Sequence, residues 1–168
     1  PRKNGMNLLK AFSLFKKRQQ SSMKLVLAGR LAWKYESFTE SLKSYKYRDD
    51  VILTGYLPEE ELAALTAAAY AQVYPSFFEG FGLPVAEAMQ SGVAVITSAH
   101  SAMQEIAGEA ALYADPADIQ AIADQLKRIY KDETLRSELI RKGLDQSVKF
   151  NWDTAAAQCW IAIEETIG

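Results

Sequence analysis

The fold is decided by one stretch, which reads Pro75-Ser-Phe-Phe-Glu-Gly-Phe-Gly-Leu-Pro-Val-Ala-Glu-Ala-Met89. It follows a short apolar segment that ends at Tyr74 and precedes another that begins at Val93. Pro84 stands where a helix would begin, since proline is favoured in the first helical turn. The stretch therefore predicts a strand, a loop and then a helix over residues 83–90.

The loop of this stretch contains two glycines, Gly80 and Gly82. Glycine accepts positive φ and lets a ligand come close to the backbone. A helix that begins at the carboxyl edge of a parallel sheet presents unpaired amides and the positive end of its dipole, which favour phosphate. The loop therefore predicts a phosphate site, even though the chain carries a formal net charge of -2.

Two carboxylates, Glu79 and Glu87, flank the same loop and the start of the predicted helix. Carboxylates are poor ligands for phosphate, but they accept hydrogen bonds from paired sugar hydroxyls, and such charge-assisted bonds are strong. A ligand with phosphates between two polyols would satisfy both the amides and the carboxylates. A nucleotide-diphosphate sugar has that composition.

Outward from this stretch, short apolar segments alternate with amphipathic ones. Strands are predicted over residues 24–29, 51–54, 72–74, 93–97 and 110–114. Helices are predicted over residues 6–17 and 38–47, from Pro58 onward, and over 83–90, 119–130, 135–148 and 154–167. This alternation, without two-residue hairpin signals, predicts an α/β fold: a Rossmann-like parallel sheet with helices on both faces and a helical C-terminal section.

The length of 168 residues fits one domain, which we expect to span residues 1–168. A doubly wound domain normally opens with a strand, whereas here the first residues are already the loop before a helix. We therefore expect the first strand of the sheet to be missing, with a vacancy next to the strand that starts near Lys24. The chain would then start late within its domain.

Composition excludes several classes of partner. Nineteen basic and 21 acidic side chains create no general field for nucleic acid or for an anionic membrane. No apolar run approaches the length of a membrane span. The single Cys159 cannot form an internal disulfide, which favours a cytoplasmic location.

Beyond these patterns, the chain resembles the group 1 (family 4-like) retaining glycosyltransferases of the GT-B fold, and specifically their C-terminal donor-binding domain. Glu79 and Glu87 match the family's E-x7-E signature. The matching blocks are Leu25-Val-Leu-Ala-Gly-Arg30, Asp50-Val-Ile-Leu-Thr-Gly-Tyr-Leu57, the stretch from Phe78 to Met89 with Ser91-Gly-Val-Ala-Val-Ile96, and Glu105-Ile-Ala-Gly-Glu-Ala-Ala-Leu-Tyr-Ala-Asp-Pro116. At residues 103–105 the chain lacks a proline that the family often has.

The resemblance implies a role for each site residue. Glu79 is the catalytic residue and contacts the transferred sugar, while Glu87 binds the ribose hydroxyls. The backbone of the loop, at Gly80, Phe81, Gly82 and Leu83, lies near the phosphates. Lys3, in Arg2-Lys3-Asn4-Gly5, resembles the basic loop after the family's first strand and binds the diphosphate.

The resemblance also implies the partners. The substrate is a UDP- or GDP-sugar, from which a hexosyl group passes to an acceptor with retention of configuration, in a pathway of polysaccharide or glycan biosynthesis. The chain is then a fragment of a larger two-domain enzyme. The N-terminal domain of that enzyme, outside this chain, binds the acceptor and would also carry any peripheral membrane association. The isolated chain would be inactive, no cofactor is needed, and the oligomeric state is left open.

Two alternatives remain at this point. The first alternative is another kind of GT-B enzyme, either inverting or phosphorylase-like. The other is a flavodoxin-like nucleotide-binding module without catalysis, although that gives no reason for paired carboxylates at a phosphate loop. We expect no metal, because no Asp-x-Asp pair supplies oxygen ligands. His100 is interpreted as a polar loop residue, and Trp33, Trp152 and Trp160 as packing residues.

Overall fold

The computed structural model describes residues 2–30 and 36–167. These residues form helices and parallel strands in alternating order, followed by consecutive helices. The elements are α1 (Gly5–Gln19), β1 (Leu25–Ala28), α2 (Glu36–Lys43), β2 (Val51–Gly55), α3 (Glu59–Ala67), β3 (Ala71–Tyr74), α4 (Leu83–Gln90), β4 (Ala94–Ser98), α5 (Ala102–Ala107), β5 (Ala111–Ala114), α6 (Ile119–Lys131), α7 (Glu133–Ser147) and α8 (Trp152–Ile167).

Every strand pair among the described residues is parallel, as predicted. β1 pairs with β2, and β4 lies between β3 and β5. In the three-stranded sheet Tyr74 lies opposite Thr97, and Ser98 lies opposite Ala114. The carboxyl ends of these strands therefore meet at one edge, and the loop after β3 begins there.

The strands divide into a two-stranded and a three-stranded sheet instead of the single sheet that we predicted. Within residues 2–30 and 36–167, no strand pairing joins β1 to β3. Leu25 and Leu27 of β1 nevertheless pack against the same buried cluster as Val73 of β3. β1 and β3 therefore share a buried cluster without a strand pairing between them.

Strand β4 carries the core of the three-stranded sheet, because all five of its residues are buried. Its side chains alternate between the two faces, as strand geometry requires. Val95 packs into a cluster with α4 and α5. Ala94 and Ile96 pack into another cluster, with Ile129 of α6 and Leu139 of α7. Helices therefore cover both faces, which confirms the predicted fold class.

Most predicted elements match the observed ones to within a few residues, and α4 matches at both ends. Helix α2 ends earlier than predicted, and a short 3-10 turn, Arg48–Asp50, follows before β2. Helix α5 was not predicted. It spans only six residues and begins after Ser101, which has a positive φ of 58° and no capping side-chain hydrogen bond.

Helix α8 lies outside the core, and each of its residues is exposed. Trp152 is 82% exposed and Trp160 is 62% exposed, so interpreting them as packing residues was wrong. Trp33 lies outside the described residues. Of the helices that the structure describes, none combines the length and the apolar character needed to cross a membrane.

Candidate functional site

A cleft of about 420 Å³ opens at the carboxyl edge of the three-stranded sheet. It lies where the loop after β3, the start of α4 and the residues before α1 come together. Its lining residues are Arg2, Lys3, Tyr74, Glu79, Phe81, Gly82, Leu83, Pro84 and Glu87. Ligands of open α/β sheets bind at this edge, so the position itself favours a binding site.

Gly82 sets the geometry at the start of α4. Its φ is 99° and its carbonyl accepts hydrogen bonds from the amides of Val85 and Ala86, so it is the N-cap of the helix. A Cβ at this position would lie 3.4 Å from Cγ of Met103. Gly80, by contrast, has no positive φ, and a Cβ there would meet nothing within 4 Å. We predicted that both positions favour glycine for conformational reasons. The structure shows such a reason at Gly82 but not at Gly80.

The loop leaves its amides available to a ligand. In the part of the chain that the structure describes, the backbone N–H groups of Gly80, Phe81, Gly82 and Leu83 donate no hydrogen bond within the protein. Pro84 occupies the first helical turn and has no N–H group to satisfy. Phe81, Gly82 and Leu83 line the cleft at the positive end of the α4 dipole, and unpaired amides at such a position favour a phosphate.

Glu79 lies at the end of the cleft that is closest to the core, and it is only 8% exposed. Its Oε1 accepts hydrogen bonds from the hydroxyls of Tyr74, at 2.7 Å, and Ser76, at 2.9 Å. Its Oε2 lies 3.2 Å from the guanidinium of Arg2. A buried charge is costly unless it is paired and hydrogen-bonded, and both conditions are met here.

Tyr74 connects the strand to the cleft. It is the last residue of β3, and its ring packs against the cluster that α4 and α5 cover. The Nζ of Lys3 lies 6.0 Å from the centre of the ring. Burial, followed by the hydrogen bond to Glu79, raises the pKa of the Tyr74 hydroxyl well above its usual value, so this group stays a donor.

The residues before α1 are held against the same loop. The carbonyl of Arg2 accepts a hydrogen bond from the amide of Phe77, at 3.0 Å, and lies 3.1 Å from the hydroxyl of Ser76. The buried side-chain amide of Asn4 donates to the carbonyls of Pro75, at 3.0 Å, and Pro116, at 2.6 Å. These contacts carry Arg2 and Lys3 to the cleft.

The cleft brings together nearly all of the predicted site residues, namely Lys3, Glu79, Phe81, Gly82, Leu83 and Glu87. Glu87 and Lys3 are exposed, whereas Glu79 is buried. Gly80 lies in the loop but not in the cleft wall.

Three lining residues were not among the predicted site residues. Pro84 was predicted only as the start of the helix, and sequence reasoning missed Arg2 and Tyr74. A signal existed for each. Arg2 adjoins Lys3 in the chain, and Tyr74 ends the strand immediately before the loop, so both stand at the carboxyl edge.

Two other features carry no comparable chemistry. His100 lies in the loop after β4, and its Nε2 is 4.0 Å from a carboxylate oxygen of Asp115, with both side chains exposed. The described residues contain no group of three or more His, Cys, Asp or Glu side chains that could hold a metal ion.

A second cleft, of about 500 Å³, lies at the opposite edge of the sheet. It is formed by the residues that precede β5, by the last turns of α7, including Lys142, and by Lys149 just after α7. Lys142 is paired there with Glu109 and Glu138. The amino edge of a parallel sheet is not where such folds bind ligands, so this cleft is the weaker candidate despite its larger volume.

Known proteins match almost the whole chain. Residues 1–146 match the family described as Glycosyl transferases group 1. The chain is 36% identical over 158 residues to O-antigen chain mannosyltransferase B from Escherichia coli, and the match covers 94% of this chain and 42% of that protein.

Solved structures also match almost the whole chain. Sucrose-phosphate synthase from Thermosynechococcus elongatus matches with a TM-score of 0.87 and 28% identity, over 99% of this chain and 43% of that one. Anabaena HepE, in complex with UDP and glucose, matches with a TM-score of 0.85 and 17% identity, over 98% of this chain and 45% of that one, which shows the fold alone. The chain thus spans less than half the length of these relatives. With the family match extending from residue 1 through the whole cleft to α7, this chain belongs to the group 1 glycosyltransferases.

Proposed function

We propose that this chain binds a nucleotide-diphosphate sugar and is the donor half of a retaining glycosyltransferase that transfers a hexosyl group to an acceptor. The observation that carries the proposal is the composition of one cleft. Unpaired amides at the start of α4 and the ammonium group of Lys3 suit a diphosphate, and the carboxylates of Glu79 and Glu87 suit hydroxyl groups on either side of it.

The difference in burial between the two carboxylates supports assigning them to different parts of the ligand. Glu87 is exposed on α4, where the open part of the cleft leaves room for a ribose. Glu79 is buried beside the end of β3. We therefore assign the ribose hydroxyls to Glu87 and the transferred sugar to Glu79, which makes Glu79 the catalytic residue of this chain.

In this proposal the cleft accelerates transfer by stabilising the diphosphate as it leaves. Negative charge grows on the diphosphate when its bond to the sugar breaks, and fixed amides and a nearby cation stabilise that charge without reorganisation. Lys3, the α4 dipole and the amides of residues 80–83 are the groups that this chain supplies for that purpose. In this proposal no metal is required.

The names of the relatives indicate which donors to test first. A mannosyltransferase is among them, and a fold relative was solved with UDP and glucose, so UDP- and GDP-hexoses are the donors to try first. Because the relatives are more than twice as long as this chain, we also propose that the acceptor is bound by an additional domain.

Calorimetric titration with a panel of nucleoside diphosphates and their sugars tests the proposal. We expect one base to be preferred, and the diphosphate and its sugar both to bind without added metal. A mononucleotide-binding module would instead bind the nucleotide and gain nothing from the sugar. Failure to bind any member of the panel would rule the proposal out.

A further inference from the structure

The two oxygens of the Glu79 carboxylate have different partners. Oε1 accepts a hydrogen bond from the hydroxyl of Tyr74, at 2.7 Å, and lies 2.9 Å from the hydroxyl of Ser76. Oε2 has an ion pair with Arg2, whose side chain is 59% exposed. One oxygen therefore contacts a half-buried and a buried hydroxyl, and the other contacts a group that faces solvent.

Tyr74 is the more decisive of the two hydroxyl donors. Its hydroxyl has one acceptor, Oε1 of Glu79. The hydroxyl of Ser76 also lies within hydrogen-bond distance of two backbone carbonyls, those of Arg2 and Phe78, and a hydroxyl has a single proton to donate. The ring of Tyr74 cannot easily turn away, because it packs against a buried cluster.

We infer that Tyr74 is a positioning residue that holds Oε1 of Glu79 and leaves Oε2 as the oxygen that accepts the hydrogen bond from a sugar hydroxyl of the donor. This inference rests on the proposed function. Arg2 is paired with Oε2 at 3.2 Å. A sugar hydroxyl takes over that position, and the exposed guanidinium of Arg2 remains next to the diphosphate site, since Arg2 and Lys3 line the same cleft.

Tyr74→Phe tests the inference, because it removes the hydroxyl and keeps the ring that packs on the core. Binding of the preferred nucleoside diphosphate and of its sugar is measured by calorimetry on both proteins. Tyr113→Phe is the matched control. Tyr113 is also a half-buried tyrosine, its hydroxyl donates to the carbonyl of Gly108, and it lies outside the cleft wall.

We expect Tyr74→Phe to weaken the nucleotide sugar roughly tenfold and to leave the nucleoside diphosphate unchanged, because only the sugar contacts the misplaced carboxylate. Ser76→Ala should act in the same direction. Tyr113→Phe should change neither affinity. A merely structural role of Tyr74 would lower the melting temperature, or weaken both ligands, without changing the ratio between them.

Equal loss of both ligands, or unchanged binding of the sugar by a folded Tyr74→Phe protein, would overturn the inference and leave the proposed function in place. Absence of binding by the wild-type protein would instead remove the proposed function, and the inference with it.

Discussion

The side-chain amide of Asn4 lies 2.6 Å from the carbonyl oxygen of Pro116, and it also donates to the carbonyl of Pro75 at 3.0 Å. One buried asparagine thus joins the start of the chain to the loop after β3 and to the loop after β5. Its φ of 60° is in the left-handed region, which asparagine accepts more readily than most residues. Asn4 and the hydrogen bond from the amide of Phe77 to the carbonyl of Arg2 together keep Arg2 and Lys3 at the cleft.

From this contact we predict that Asn4→Ala lowers the free energy of unfolding by about 2–4 kcal/mol, because buried acceptors lose their donor and alanine is strained at positive φ. Chemical denaturation measures the change. Asn7→Ala is the control: Asn7 also donates to Pro116, at 3.0 Å, but from a partly buried position, and it should cost at most about 1 kcal/mol. Equal losses in the two variants would show that Asn4 has no special role.

At the start of α4 we predict that Gly82→Ala lowers the free energy of unfolding by about 1–2 kcal/mol and weakens nucleoside diphosphate binding. The loss comes from the backbone, because a side chain at a φ of 99° is strained, whereas the new Cβ would make only an ordinary contact with Met103 at 3.4 Å. Gly80→Ala should change neither quantity, because Gly80 has no positive φ and open space around it. Thermal unfolding and calorimetry on both variants measure the two quantities. Effects of Gly80→Ala as large as those of Gly82→Ala would contradict the prediction.

For the basic group of the cleft, we predict that Lys3→Ala weakens the nucleoside diphosphate and its sugar by the same factor, about tenfold, since the diphosphate is common to both. The dependence of binding on salt should become shallower as well, because exposed charges are screened. Lys10→Ala, which removes another exposed lysine further along α1, is the control for net charge. A loss confined to the sugar would assign Lys3 to another part of the ligand.

The elements that the sequence predicts well are those with a strong local signal. Pro84 in the first turn and glycines on both sides placed α4 at its observed bounds. The acidic residues Glu59 to Glu61 marked the start of α3. The six residues of α5 carry no such signal, since Ser101 makes no cap and the helix is held by burial of Met103 and Ile106.

Within the site, residues that lie in the motif were predictable, and contacts between distant segments were not. The spacing of Glu79 and Glu87 indicated two carboxylates at one loop. The pairing of Arg2 with Glu79, and the hydrogen bond from Tyr74, depend on how the residues before α1 fold back onto the loop after β3. No local pattern encodes that arrangement, because Asn4 creates it through contacts with residues 71 and 112 positions away.

The assignment of the two glutamates is tested most directly by calorimetry on Glu79→Ala and Glu87→Ala with the preferred nucleoside diphosphate and its sugar. Loss of a charge-assisted hydrogen bond, worth about 1.5–3 kcal/mol, corresponds to roughly tenfold to more than a hundredfold in affinity. Glu87→Ala should weaken both ligands by a similar factor, and Glu79→Ala should weaken only the sugar. Equal loss of both ligands in Glu79→Ala, in a protein whose circular dichroism matches that of the wild type, would contradict the assignment of Glu79 to the transferred sugar.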